Sequence, residues 1–226
     1  MNLRILYDNH AGTTFKSGWG FSCLIESNKN KILFDTGWNG AILLHNMKNA
    51  GINPEEIDKT IISHFHWDHI GGLSYLLNRG KKSEKEFEIY IPESVSNKFK
   101  NEIRRYAKVI EISDALKIQE NIWTTGELGG EIKEQSLVIN TAKGNIIITG
   151  CAHPGLDNII EKSREFGDVY AVIGGYHNSE IDLLNEIPLV IPCHCTLKIK
   201  EIRQKMPKSY KKCFAGLYID FTGYFG

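Results

Sequence analysis

Neither sign of charge is in excess, since 27 Lys and Arg balance 27 Asp and Glu. That balance excludes a global field drawing the chain onto nucleic acid or an anionic membrane, and it favours a small, locally recognised substrate. No apolar run approaches the roughly 20 residues of a membrane-spanning helix. The opening "MNLRILYDNHAG" lacks the apolar core of a signal peptide, so a soluble, cytoplasmic protein with no membrane partner is expected. Cysteine is sparse: five residues, at 23, 151, 193, 195 and 213. An odd number without dense spacing excludes a secreted disulfide framework and makes reduced thiols the default. Cys193 and Cys195 flank His194 in "PCHCT"; read as extended backbone, they point to opposite faces and are not expected to bridge. There is also no G-x-S-x-G elbow and no Walker loop, which removes serine hydrolysis and P-loop chemistry.

What the chain does have is hydrophobic content, 42% of 226 residues, enough for one large domain over residues 1–226. Short β-branched runs, "LRILY", "FSCLIES" and "KILFDTG", are followed by a helix over "GAILLHNMKNAG" that Gly51 terminates. The strand "KTIIS" leads to "SHFHWDHIGG" and a helix through "IGGLSYLLNRG", with Ile70, Leu73, Leu76 and Leu77 on one face. The polar "KKSEKE" reads as a surface loop. Strands are expected over "FEIYIPE", "AKVIEIS", "NIWTTGEL", "QSLVINT" and "NIIITG", with a helix from about Ser94 to Tyr106 and a hairpin turn at Lys143-Gly144. A helix after "HPG" carries Leu156, Ile159, Ile160 and Phe166 on one stripe; "DVYAVIGG", "PLVIPCH", "KCFAG" and "LYIDF" complete the strands, with a basic helix ending at Met206. Strand, histidine-bearing loop and helix thus recur in two similar β-rich halves, with the histidine loops along one edge.

Three histidines and an aspartate fill six positions at 64–69, directly after an apolar strand. Neutral imidazoles and a carboxylate are ligands for zinc and related divalent ions, and a tight loop after a rigid strand aims them at small entropic cost. His64 and His66 can face one ion, while Asp68 and His69, at the start of the next helix, can face a second. A single histidine inside a helix, such as His45, is read as structural.

The run His64, His66, Asp68, His69, with "ILFDTG" upstream ending at Asp35, resembles the metallo-β-lactamase-fold superfamily, whose hallmark is His-x-His-x-Asp-His. The motifs "TGCAHPGLDNII", "VIGGYH" and "IPCHCT" are similar to a subgroup labelled dihydropterin-ribofuranosylaminobenzene-phosphate synthase-like. Leu197 departs from the glycine expected after "HCT". The resemblance implies an αββα four-layer sandwich with a metal site at its edge, holding one or two divalent ions: zinc first, with manganese or iron as alternatives. It also implies a later histidine, a bridging aspartate and a final histidine. His194 fits the last role. At the bridging position stands Cys151, with His153 two residues on; His153 is the favoured ligand, and Cys151 is read as a buried apolar residue. Glu127, in "TGEL", is a further candidate, Asp35 is read as orienting ligands from behind, and His10 is a weak candidate for the substrate mouth.

The chemistry this implies is hydrolysis or group transfer by hydroxide on the metal. Asp68 and His177 are the candidates for handling the proton; His177 could equally bind substrate or ligate. Lysines and arginines over 198–212, on a helix expected just past His194, favour an anion such as phosphate, although a solvated basic face explains them as well. Trp19, Phe21, Trp38 and Trp67 are candidates for stacking on a flat ring. The expected function is therefore a metallohydrolase or transferase acting on a phosphorylated small molecule. The alternatives are a lactonase or thioesterase with the same ligands, and a non-catalytic metal-binding sensor.

Overall fold

The computed structural model describes residues 1–27, 30–78 and 86–223, so the expected loop over "KKSEKE" lies, except for Glu86, outside the described residues. The chain forms two compact units, Met1–Ile112 with Phe214–Thr222, and a second built on Ser113–Cys213. Among the described residues no helix is long and apolar enough to cross a membrane.

The first unit is a seven-stranded mixed sheet. Its strands are β1 (Asn2–Tyr7), β2 (Ser22–Ser27), β3 (Asn30–Phe34), β4 (Lys59–Ile61), β5 (Glu88–Pro92), β6 (Lys108–Ile112) and β13 (Tyr218–Asp220), in the order β13-β1-β2-β3-β4-β5-β6. The first four in that order are antiparallel neighbours, and β3 to β6 are parallel. Period-two alternation sends Leu6, Leu24, Leu33, Ile89 and Ile91 to one face. There they join Leu43 and Met47 of α1 (Gly40–Asn49), Ile70 of α2 (Trp67–Ile70), Leu73 and Leu76 of α3 (Leu73–Leu77) and Ile103 of α4 (Asn97–Ile103) in one core. Asn39 caps α1 by accepting from the N–H groups of Ala41 and Ile42. Gly51, at a φ of 73°, follows its end as expected.

The second unit is a six-stranded mixed sheet of β7 (Leu116–Gln119), β8 (Ile122–Thr124), β9 (Leu137–Ile139), β10 (Asn145–Thr149), β11 (Val169–Gly175) and β12 (Leu189–Cys193), in the order β12-β11-β10-β9-β8-β7. Strands β10, β11 and β12 are parallel, with Thr149, Gly174 and Pro192 in register. The β9–β10 hairpin turns at Thr141–Gly144, closed by Gly144 N–H to the Thr141 carbonyl. Helix α5 (Leu156–Arg164) buries Leu156, Ile159 and Ile160. With α6 (Ile199–Lys205), which contributes Ile202, it covers Ile147, Val172 and Val190 of the sheet.

Several expectations are corrected. Phe166 lies beyond the end of α5 and packs its ring against Trp123. "KCFAG" is no strand; it makes one isolated bridge, Ala215 to Ala11. "LKIQ", not among the expected strands, is β7. The helix expected through "IGGLSYLLNRG" is two short helices, because the chain is pressed against the β3–α1 connection at Gly71 and Gly72. A Cβ at Gly71 would stand 2.0 Å from the Trp38 carbonyl oxygen, and one at Gly72 would stand 2.4 Å from that of Thr36. The same approach lets the Thr36 N–H and hydroxyl donate to the His69 carbonyl at 2.8 and 2.9 Å. Gly71→Ala is therefore expected to destabilise the fold by about 1–3 kcal/mol, the range for forcing extra carbon into a packed site. Thermal unfolding measures it, and an unchanged midpoint would show that the contact yields freely.

Candidate metal centre

Parallel strands put their carboxyl ends on one edge of a sheet, where loops meet and ligands bind in open α/β sheets. In the first unit the relevant ends are those of β3 and β4, which place Asp35 and the segment Ser63–His69. Asp35 is fully buried and sits at a φ of 56°. Its Oδ1 accepts from the Ser63 N–H at 2.7 Å; its Oδ2 accepts from the Ser63 hydroxyl at 2.7 Å and pairs with His69 Nδ1 at 2.6 Å. Burial pushes the Asp35 carboxyl up, and His69 and Ser63 pull it back toward its ionised form.

These contacts determine tautomers. A carboxylate beside His69 Nδ1 places the ring proton there and leaves Nε2 with its lone pair. The Ser63 hydroxyl gives its proton to Asp35, so its oxygen accepts from His64 Nδ1 at 2.9 Å, which leaves His64 Nε2 as the lone-pair nitrogen. That atom lies 3.0 Å from His66 Nδ1, close to the roughly 3.3 Å between two nitrogens on one tetrahedral zinc ion. The His64 and His69 rings lie 4.2 Å apart between centroids, tilted by 48°, and Asp68, half-buried, lies 3.9 Å from His69 Nε2. The residues between the ligands do other work: Phe65 packs edge-on against Phe99 of α4 at 4.6 Å, and Trp67 is exposed. The donor set of this unit fits a divalent ion.

In the second unit the ends of β10, β11 and β12 place Cys151 and His153, His177, and His194 and Cys195. Here a residue that sequence reasoning missed organises the loop. Glu134 is fully buried. Its Oε1 accepts from the Thr149 hydroxyl and the N–H groups of Gly150, Cys151 and Ala152 at 2.9 to 3.1 Å, and its Oε2 accepts from the His153 N–H at 2.9 Å. In the sequence it stands in the polar "EIKEQS", which carries no signal separating it from a solvated charge. The His153 and His177 rings lie 4.6 Å apart. Thr196 joins two strand ends, accepting from the Tyr176 N–H at 3.0 Å and donating to the Cys193 carbonyl at 2.8 Å. Leu197 fits where glycine was expected because its side chain projects into solvent.

His194 is buried at a φ of 42°, so Cys193–His194–Cys195 is not the extended segment the sequence suggested. All five cysteines are buried and none is in a disulfide. Cys195 and Cys151 converge with His177, all three ligand atoms lying within 4.8 Å of one another. The hydrogen bond with Cys151, then that with His177 and the charges of His194 and His177, outweigh burial and bring the Cys195 thiol down to about 4.

Other candidates are placed less centrally. Among the described residues Glu127 joins no group of three or more converging donors; its N–H donates to Ser113. His10 is exposed, and His45 on α1 pairs with Asn49. Trp19, Trp38 and Trp67 are exposed, whereas Phe21 is core, edge-on to Phe34. Two lysines of the basic segment pair with acids: Lys198 with Glu180, and Lys205 with Asp182 and Glu201. Helix α6 begins only at Ile199, after Lys198, and has seven residues, too short to make an anion site of its N-terminus by itself. Glu134→Gln puts an amide NH2 against the His153 N–H, or against the three N–H groups on the other side. It is expected to cost about 1–3 kcal/mol and to raise hydrogen exchange at the Gly150–His153 amides roughly ten- to hundredfold. Unchanged exchange there would refute the role given to this carboxylate.

Comparison with known proteins places this geometry in a family. The family model described as the metallo-β-lactamase superfamily matches residues 20–194. The chain is similar to the 7,8-dihydropterin-6-methyl-4-(β-D-ribofuranosyl)-aminobenzene-5′-phosphate synthase of Methanocaldococcus jannaschii, with 32% identity covering 80% of this chain and 79% of the relative. Among solved structures it resembles a metal-dependent hydrolase of the β-lactamase superfamily, at a TM-score of 0.78 and 26% identity over 97% of this chain and 98% of the other. It also shares its fold with the metallo-β-lactamase fold protein YhfI of Bacillus subtilis, at a TM-score of 0.73, 15% identity and coverage of 97% and 99%. The chain belongs to the metallo-β-lactamase superfamily, has its α/β sandwich fold, and resembles the phosphate-synthase subgroup within it.

Proposed function

We propose that residues 1–226 form one catalytic domain of a metal-dependent, cytoplasmic enzyme that hydrolyses or transfers a group at a phosphorylated small molecule. One or two divalent ions, zinc before manganese, would be held by His64, His66, Asp68, His69, His153 and His194. The observation that carries the reading is the convergence of donor atoms, His64 Nε2 on His66 Nδ1 and His69 Nε2 beside Asp68, with the far side of each of the two rings held through Ser63 and Asp35. An ion bound there supplies Lewis acidity and lowers the pKa of bound water toward about 7. The chain's own part is to present neutral imidazoles through Asp35 and Ser63, and to keep Asp68 half-buried beside His69, where it ligates or holds a proton. His177, exposed at the end of β11, stands as proton carrier or ligand. The phosphorylated substrate draws support from the M. jannaschii relative, whose name specifies a 5′-phosphate and a synthase, so a transfer step stands beside hydrolysis. The exposed Trp19, Trp38 and Trp67 suit a flat ring. Buried thiols without a disulfide suit a reducing compartment.

Reconstitution with zinc or manganese should load at least about half an ion per chain, given the affinity of such ligand sets; less refutes the metal reading. His66→Ala should remove the ion held by the motif loop, and turnover with it, while leaving far-ultraviolet circular dichroism unchanged, since His66 lies outside the core. Activity should rise with pH through roughly 6 to 8. At matched metal occupancy, phosphodiesters and aromatic phosphomonoesters are expected to turn over in preference to lactones and thioesters. Turnover confined to the acyl substrates overturns the phosphate reading and leaves the metal reading standing.

A further inference from the structure

The polar groups of the motif loop are explained by the ligand set above. The sulfurs of the second unit are not. Cys151 is only 2% exposed and Cys195 only 6%, yet both face one exposed imidazole, that of His177. Buried cysteines usually behave as small hydrophobes, whereas these two turn their sulfurs toward each other and a ring nitrogen. Here the three ligand atoms lie within 4.8 Å of one another. A tetrahedral zinc ion with sulfur at about 2.3 Å and nitrogen at about 2.0–2.1 Å spaces its ligands roughly 3.5–3.8 Å apart, so a small inward adjustment closes the set.

The backbone fixes these donors before any ion arrives. Cys195 Sγ lies 3.9 Å from the Cys151 carbonyl oxygen. Gly175, at the end of β11, leaves the room that the sulfur occupies: a Cβ there would stand 2.5 Å from Cys195 Sγ and 2.6 Å from the Gly150 carbonyl oxygen. The Leu197 N–H donates to the His177 carbonyl at 2.9 Å, which ties the loop carrying Cys195 to the loop carrying His177. Glu134 holds Cys151 by its N–H. Each donor is thus anchored through backbone, the arrangement a preorganised metal site needs. The exposed edge of His177 gives an entry path.

We infer that Cys151, Cys195 and His177 form a thiolate-imidazole donor set for a thiophilic divalent ion. The sequence alone favoured Cys151 as an apolar residue and left His177 open between proton carrier and ligand; the convergence of the three assigns both as ligands. Both sulfurs bind as thiolates, any thiol proton still present leaving to solvent, and no oxidation state changes. Thiolates select zinc or cobalt over manganese, so the inference deepens the metal-dependent reading above by naming the metal class. It rests on that reading for the presence of a divalent ion.

The test is titration of the metal-free, reduced full-length protein with Co(II), followed by absorption. The wild type is expected to show sulfur-to-cobalt charge transfer in the near ultraviolet. Cys151→Ser and Cys195→Ser should each diminish that band, and the double variant should abolish it. His177→Ala should weaken cobalt binding at the thiolates by more than about tenfold, at least the cost of losing an outer-shell partner. His66→Ala, which disables the motif loop, should keep the band, so the metallohydrolase reading and this one fail separately. A wild type that takes up cobalt without the band overturns the inference, as does a band that survives the double substitution or that requires His66.

Discussion

A carboxylate shut away from water must be met by donors, and each unit of this protein answers that demand at a strand end. Asp35 takes Ser63 twice and His69 once; Glu134 takes one hydroxyl and four consecutive backbone N–H groups. An unmet charge at either place would cost several kcal/mol, so the loops have little freedom to rearrange. The histidines and cysteines they carry inherit that rigidity. The two acids differ in what they fix: Asp35 acts on side chains and so sets imidazole tautomers, whereas Glu134 acts on main chain and so sets the path through Gly150–His153.

The backbone around the candidate residues carries a matching signature. Asp35, Ala152, His177 and His194 all have positive φ, between 42° and 56°, a region that non-glycine residues enter at a cost. Each follows directly, or within a few residues, on a strand whose hydrogen bonds hold its end in place. A left-handed residue turns the chain sharply off the sheet, which brings the next donors back over the strand ends. Glycine would reach the same conformation more cheaply; histidine at two of these positions shows that the side chain there outweighs backbone comfort.

Much of this was legible in the residue order. The motif at 64–69, the strands before it and after it, the end of α1 at Gly51 and the hairpin at Thr141–Gly144 all depend on contacts between near neighbours or on period-two and period-3.6 patterns, and these are written in the chain locally. The misreadings have a common origin in distance along the sequence. The split between α2 and α3 comes from carbonyls of Trp38 and Thr36, more than thirty positions away. Likewise, the partners of Lys198 and Lys205 in the basic segment, Glu180 and Asp182, lie about twenty positions back in the chain.

By itself, then, the sequence determined the family, the candidate ligand run His64, His66, Asp68 and His69, and the strand-loop-helix rhythm, because ligand type and local periodicity need no knowledge of the fold. Tertiary structure decided which buried acid serves which loop, that Asp35 and Ser63 hold the Nδ1 sides of His69 and His64, and that Cys151, Cys195 and His177 converge. Glu134 and Glu127 stand in similar polar stretches seven residues apart, and nothing in the order of residues distinguishes them. Only the pairing of β8 with β9 and of β9 with β10, which carries one of them beneath the Gly150–His153 amides, makes Glu134 the acid that the loop is built on.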